Sequence, residues 1–163
     1  MLAPPRDFAD ERLKTARLLA LAVPVVLLGG ALLSEYVGKL YPCEMCWWQR
    51  YPHGVAILLA AAALLSPLSA PRTRVLILLA ALAVAVSGLI GAFHAGVEYG
   101  WWEGLTTCST GGAMSLDDIM AVPLIRCDQV QWTLFGISLA GFNAIFSLGG
   151  AAAVAWLARR KAA

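Results

Sequence analysis

Charged residues are scarce in this 163-residue chain: 13% are Asp, Glu, Lys or Arg, whereas 60% are hydrophobic and the mean hydropathy is +0.74. Average soluble domains contain about 25% charged and about 45–50% apolar residues. The composition therefore excludes an ordinary soluble fold, and the high hydrophobicity excludes intrinsic disorder. The net charge of +2 also excludes the broad basic surface that binds nucleic acid. We expect a membrane protein whose apolar surface lies in the lipid bilayer.

Four stretches without charged residues are long enough, or nearly so, to cross a membrane. A spanning helix needs about 20 mostly apolar residues, and uninterrupted apolar runs favour helices over barrel strands. We predict an all-α, single-domain bundle of four transmembrane helices. Its spans are residues 16–34, 47–66, 74–94 and 133–157, and its outer loops are 35–46 and 95–132. The second span reaches full length only if its helix starts near Cys46 and buries Gln49 and Arg50 shallowly.

The basic residues predict the orientation of the bundle. Nine of the twelve Lys and Arg residues lie before the first span, between the second and third, or after the fourth. Only Lys39, Arg50 and Arg126 lie on the other side. Because cytoplasmic segments carry the excess of basic residues, both termini should be cytoplasmic. Small residues near the end of the first apolar run also allow it to be a secretory signal, which would leave the orientation of the rest unchanged.

The chain has four cysteines, and all of them fall in the two outer loops: Cys43, Cys46, Cys108 and Cys127. Outer loops face the compartment in which disulfides form and persist. Cys43 and Cys46 form a C-x-x-C at the predicted start of the second helix, where the helix N-terminus and a nearby cation, Arg50, both stabilise a thiolate. This pattern favours redox chemistry over a purely structural disulfide.

Zinc binding is a less favoured interpretation of the same cysteines. A zinc site would require all four to converge, but the second pair is widely spaced and has no nearby histidine. The stretch 114–125 between Cys108 and Cys127 is mostly apolar. It is compatible with a short interfacial helix or with an extended solvated loop.

Three polar residues in or near the apolar runs are candidates for a specific role. His94 lies near the outer end of the third span, where it is either a functional group or a hydrogen-bonded interfacial histidine. At a depth similar to that of Arg50, it could line a shared pocket. We interpret Glu98 as a solvated charge at the end of a helix, and Asn143 as a hydrogen-bonding contact with a neighbouring helix.

Three motifs, in this order, carry a resemblance: CEMCWWQR at residues 43–50, HAGVE at 94–98 and CDQVQW at 127–132, followed by Phe135-Gly136 and Asn143. The set resembles the bacterial disulfide bond formation protein B (DsbB) family over essentially the whole chain. The resemblance implies a quinone-dependent thiol oxidase of the bacterial inner membrane, with its redox loops in the periplasm. Such proteins re-oxidise a soluble, thioredoxin-like dithiol oxidase of the DsbA type.

Roles for single residues follow from the resemblance by position. Cys108 would form the mixed disulfide with the partner, and Cys127 would pass the reducing equivalents to Cys43. Cys46 would be the thiolate that faces the quinone, with Arg50 and His94 near the quinone oxygens, and no metal is implied. Gln49 stands where some relatives carry an acidic residue, and we assign it no role. The loop between Cys108 and Cys127 is shorter than in the best-known relatives.

Two other functions compete with this interpretation. One is a four-helix thiol–quinone enzyme of the vitamin K epoxide reductase type. In that family the loop pair of cysteines precedes the C-x-x-C, whereas here the C-x-x-C comes first. The other is a non-enzymatic membrane subunit whose two disulfides brace its outer loops.

Overall fold

The computed structural model describes residues 6–105 and 125–159, with side chains from residue 10 onward. Within these residues lie four helices: α1 (Arg6–Tyr36), α2 (Glu44–Leu64), α3 (Pro71–Glu98) and α4 (Leu139–Ala158). A short antiparallel hairpin precedes α4, formed by β1 (Thr133–Leu134) and β2 (Ile137–Ser138). Apart from this hairpin, the described residues confirm the predicted helical architecture. Cys108 and the stretch 114–124 lie outside them.

Three of the helices are long and apolar enough to cross a membrane, within Asp10–Tyr36, Pro71–Glu98 and Leu139–Ala158. The helices α2 and α4 both pack against α3, and α1 packs against α2 and α4. Helix α1 extends beyond the predicted span at both ends and continues through Pro24. Helix α2, which contains Pro52, begins three residues earlier than its predicted span.

Small residues fill the interior of the bundle, and large apolar residues cover its outside. The buried core is dominated by alanines, such as Ala56, Ala60 and Ala80, whereas Leu58 and Leu82 are exposed. Small side chains let helix backbones approach closely, which is how helices associate in lipid. At Gly91 of α3, an added Cβ would lie 3.0 Å from the Ala140 carbonyl oxygen of α4. This distribution, with small residues buried and large apolar residues exposed, suits a bundle surrounded by lipid tails.

Helix α4 begins at Leu139, six residues later than the predicted fourth span. The backbone turns before it because Phe135 and Gly136 adopt positive φ angles of 53° and 78°. Ser138 then caps the helix by accepting a hydrogen bond from the Gly141 amide (3.1 Å). The Tyr99 hydroxyl donates to the Gly136 carbonyl and accepts from the Ser138 amide, both at 2.9 Å. These bonds attach the start of α4 to the end of α3.

Candidate functional site

The C-x-x-C lies at the N-terminus of α2, as the sequence predicts. Cys43 is the N-cap residue, and its sulfur accepts a hydrogen bond from the Cys46 amide at 3.4 Å. The two sulfurs are 3.2 Å apart and are not joined by a disulfide bond. Cys43 also shares a buried cluster with Met45, Val97 and Cys127. The fold therefore brings three of the four predicted redox cysteines together, while Cys108 lies outside the described residues.

Cys46 lies at the outer end of α2, before the predicted span that begins at Trp47. The Cys43 thiol donates a hydrogen bond to the Cys46 sulfur. This bond lowers the pKa of the Cys46 thiol, and it outweighs the burial that acts in the opposite direction. Because a thiolate is the reactive form of cysteine, Cys46 is the sulfur of this pair that is prepared to act as a nucleophile.

His94 is buried beside the C-x-x-C, in contact with Cys43 and Gln49. Its Nε2 lies 3.5 Å from the Cys43 sulfur, and its Nδ1 lies 2.9 Å from Gln49 Nε2. Gln49 Nε2 also donates to the Met45 carbonyl at 3.0 Å, which identifies it as the amide nitrogen. His94 Nδ1 must then accept a hydrogen bond, so the proton of the neutral ring is on Nε2 and points toward the Cys43 sulfur. Gln49, to which the sequence assigned no role, thus orients His94.

The structure corrects the interpretation of Glu98 as a solvated charge. Its side chain is only 8% exposed, and its Oε1 lies 3.9 Å from His94 Nε2. The hairpin before α4 lies against the end of α3, where the Tyr99 hydroxyl donates a hydrogen bond to the Gly136 carbonyl. The other carboxylate oxygen, Oε2, has no partner among the described residues. Glu98 is therefore a buried acid beside the redox cysteines.

Arg50 lies one turn below Cys46, but it is already engaged in an ion pair. Its guanidinium pairs with Glu35 at the end of α1, donates to the Ala31 carbonyl at 3.2 Å and lies over the Trp47 ring, 4.8 Å from the centroid. The side chains of Arg50 and Glu35 are 10% and 16% exposed. The pair links α1 to α2. Sequence reasoning did not identify Glu35 as the partner of Arg50. The only indication in the sequence was that an acidic residue lies at the depth of Arg50.

A cavity of about 250 Å³ lies beside these groups, where α1 ends and α2 begins. Its polar wall includes Cys43, Cys46, Arg50, His94 and Glu98. Its apolar wall comes mainly from α1 and α4 and includes Val26, Leu27, Ala31, Leu139 and Phe142. Ligand pockets usually measure about 300–1,000 Å³. This cavity is slightly smaller than that range, so it suits a ligand with a single ring. The structure thus places the predicted Arg50 and His94 around one cavity with the C-x-x-C.

The sequence matches the family described as Disulfide bond formation protein DsbB over residues 13–157. The chain belongs to the DsbB family. A relative from Rickettsia prowazekii (strain Madrid E), the uncharacterized protein RP370, is 24% identical over 146 residues, which cover 85% of this chain and 83% of the relative. No solved structure matches the chain significantly. Membership of the DsbB family confirms the resemblance, and it makes this a membrane protein of disulfide bond formation with thiol oxidase activity.

A chain of buried hydrogen bonds extends from the DsbB-family cysteines into the bundle. Asn143 of α4 donates to Gln49 Oε1 at 2.8 Å and to Ser87 Oγ at 3.1 Å, which confirms its predicted contact with neighbouring helices. His53 of α2 contacts Asn143 and Ser87, each at 2.9 Å. Sequence reasoning assigned no role to His53. Its spacing of three residues from Arg50, which places both on one face of α2, was the available signal.

Three side chains at the C-x-x-C also form a potential metal-binding group. Cys43, Cys46 and His94 each offer a ligand atom, and these atoms lie within 4.8 Å of one another. Two thiolates and an imidazole are ligands that Zn²⁺ accepts. The same sulfurs would form the redox disulfide of a DsbB-family protein, so a metal ion would have to compete with oxidation. The DsbB family match favours the redox use of these residues.

Proposed function

We propose that this protein re-oxidises a periplasmic, thioredoxin-like dithiol oxidase of the DsbA type and passes the electrons to membrane quinone. The observation that carries this proposal is the shared cavity, since Cys46 and Arg50 line a ring-sized space whose other wall is apolar. Nothing in the sequence resembles a dinucleotide-binding fingerprint, so a lipid-soluble acceptor fits best. An apolar ring with polar oxygens matches both walls, and either ubiquinone or menaquinone has such a ring.

We propose that α2 crosses the membrane in addition to α1, α3 and α4, which gives four membrane spans. Its polar residues Gln49, Arg50 and His53 are all buried inside the bundle, so they are shielded from lipid. The single domain then has both termini in the cytoplasm of a bacterial inner membrane, and the segments that carry the cysteines face the periplasm. The distribution of basic residues supports this orientation.

Electrons enter through Cys108 and leave through Cys46. The partner's thiolate attacks Cys108 of a Cys108–Cys127 disulfide and releases Cys127 as a thiolate. Cys127 then attacks Cys43 of a Cys43–Cys46 disulfide, and Cys46 leaves as the thiolate that faces the cavity. The shared burial of Cys127 and Cys43 in one cluster supports this second exchange. The partner's second thiolate then breaks its bond to Cys108, and the freed Cys108 thiolate attacks Cys127 of the Cys43–Cys127 disulfide, which re-forms Cys108–Cys127 and releases Cys43 as a thiolate. A quinone held beside Cys46 would supply the final oxidation, taking two electrons and two protons as the reduced Cys43 and Cys46 form their disulfide again.

Two side chains assist this relay from fixed positions. His94 donates its Nε2 proton toward the Cys43 sulfur, which stabilises negative charge on that sulfur during the exchange. Arg50, held by Glu35, places a partly neutralised cation at the cavity wall, where it can interact with the oxygen of a bound ring. Both residues are proposed to act on the reacting groups rather than to form covalent bonds.

The test is quinone reduction by the purified protein. We expect a reduced thioredoxin-fold dithiol to cause loss of quinone absorbance with the wild-type protein and no loss with Cys46→Ser. Ser66→Ala, at the opposite end of α2, is the matched control and should turn over normally. Undiminished turnover of Cys46→Ser would contradict the proposed electron exit. Absence of turnover in the folded wild-type protein would instead support a non-enzymatic subunit with structural disulfides.

A further inference from the structure

His53 has a ring nitrogen, Nδ1, for which the described part of the chain offers no hydrogen-bond partner. It is 3% exposed and lines the cavity together with Arg50. Its Nε2 contacts Asn143 Oδ1 and Ser87 Oγ, whereas its buried Nδ1 has no partner among the described residues. A buried polar atom without a partner is costly, and native structures rarely leave one in place unless something satisfies it. The position of His53 on the cavity wall points to a bound ligand.

The surrounding network determines which kind of ligand atom Nδ1 can take. The Met45 carbonyl accepts from Gln49 Nε2, so Gln49 Oε1 is the acceptor for Asn143 Nδ2. Asn143 Oδ1 must then face His53, and it also accepts from Ser147. An oxygen acceptor next to His53 Nε2 requires the ring proton to be on Nε2. In the neutral ring, Nδ1 is therefore a bare acceptor that only a donor can satisfy.

A hydroquinone has such a donor, and a quinone does not. The two oxygens of a quinone are carbonyls that accept hydrogen bonds, whereas reduction converts both to hydroxyls that donate. His53 follows Arg50 by three residues, which is about 4.5 Å along the helix axis. This spacing is comparable to the distance between the two oxygens across one ring. A ring with one oxygen near Arg50 can therefore present its other oxygen to His53.

We propose that His53 Nδ1 accepts a hydrogen bond from a hydroxyl of the reduced ring and makes the cavity selective for hydroquinone over quinone. This assignment rests on the proposed quinone reduction. It gives His53 a role in binding: the contact forms only after the ring has been reduced, so it favours the direction in which electrons leave the cysteines. The ligand class is a hydroxylated aromatic ring with a free hydroxyl at its deeper end.

Two conservative variants separate the two nitrogens of His53. His53→Gln places an amide near the former Nε2 position, so it keeps the contact with Asn143 and loses the acceptor at Nδ1. His53→Asn places an amide near the former Nδ1 position and keeps an acceptor there. Binding of a short-tailed hydroquinone and of its dimethyl ether is measured without oxygen, by quenching of tryptophan fluorescence. Methylation removes the donor but retains the ring.

We expect wild-type protein to prefer the hydroquinone over its dimethyl ether, and His53→Gln to lose about tenfold of that preference, which corresponds to about 1.4 kcal/mol. His53→Asn should retain most of it. Ser87→Ala, which removes a contact to Nε2 and does not line the cavity, should leave the preference unchanged. Thermal unfolding in detergent checks that each variant is folded.

Full preference in folded His53→Gln, or an equal loss in His53→Asn, would overturn the assignment. If the wild-type protein reduces quinone while His53→Gln keeps its preference, only the role of His53 fails. If the wild-type protein neither binds the two probes nor reduces quinone, the proposed function and the role of His53 both fail.

Discussion

Replacing Glu35 with Gln tests whether the buried ion pair with Arg50 stabilises the helix bundle. The substitution keeps the size and an acceptor oxygen but removes the negative charge. Arg50 would keep its bond to the Ala31 carbonyl and its contact with the Trp47 ring, and in the described part of the chain Glu35 is the carboxylate with which it pairs. The variant therefore leaves a cation without its counter-charge between α1 and α2.

The expected loss follows from the burial of the pair. Removing one partner of a buried ion pair costs about 3–5 kcal/mol, because the remaining charge stays buried without compensation. The side chains of Arg50 and Glu35 retain 10% and 16% exposure, so solvent reduces the penalty. We expect a loss at the lower end, about 3 kcal/mol, which is a roughly 150-fold shift of the unfolding equilibrium.

Unfolding in mixed detergent micelles, followed by circular dichroism, measures this loss. The double variant Glu35→Gln with Arg50→Gln should recover most of the stability, since it buries no charge. Glu11→Gln removes an exposed partner of Lys14 on the same helix and should show no measurable change. Equal stability of Glu35→Gln and the wild-type protein, or no recovery in the double variant, would refute the stabilising ion pair.

Predictions for three variants concern the redox site. Arg50→Ala, combined with Glu35→Gln so that no unpaired carboxylate stays buried, should raise the apparent KM for quinone or abolish turnover while the protein stays folded, and His94→Ala should have a smaller effect. Normal quinone kinetics in this double variant would remove Arg50 from the site. Cys43→Ala should raise the pKa of Cys46, because the hydrogen bond that lowers it is lost. In chains whose Cys108 and Cys127 are Ser, alkylation of Cys46 should then need higher pH with Cys43→Ala than with Cys43 present, and an unchanged pH profile would contradict this cause.

The apolar runs were sufficient to predict a helical membrane protein. Because a span needs about 20 apolar residues, the positions of α1, α3 and α4 could be estimated from hydropathy alone. The boundary of α4 could not, since the positive φ angles at Phe135 and Gly136 end the extended segment inside an apolar run. The start of α2 was closer to its prediction because the C-x-x-C motif indicated a helix N-terminus, and Cys43 is the N-cap residue of α2.

The sequence by itself determined the fold class, the family and the candidate redox residues, because each depends on composition or on short motifs. Only the tertiary structure decided the partners of those residues: Glu35 for Arg50, Gln49 for His94, and the burial of Glu98. The two partners are separated in the chain by 15 positions for Arg50 and Glu35 and by 45 positions for His94 and Gln49. Hydropathy shows that a polar side chain avoids lipid, but the packing of the helices selects the partner that satisfies it.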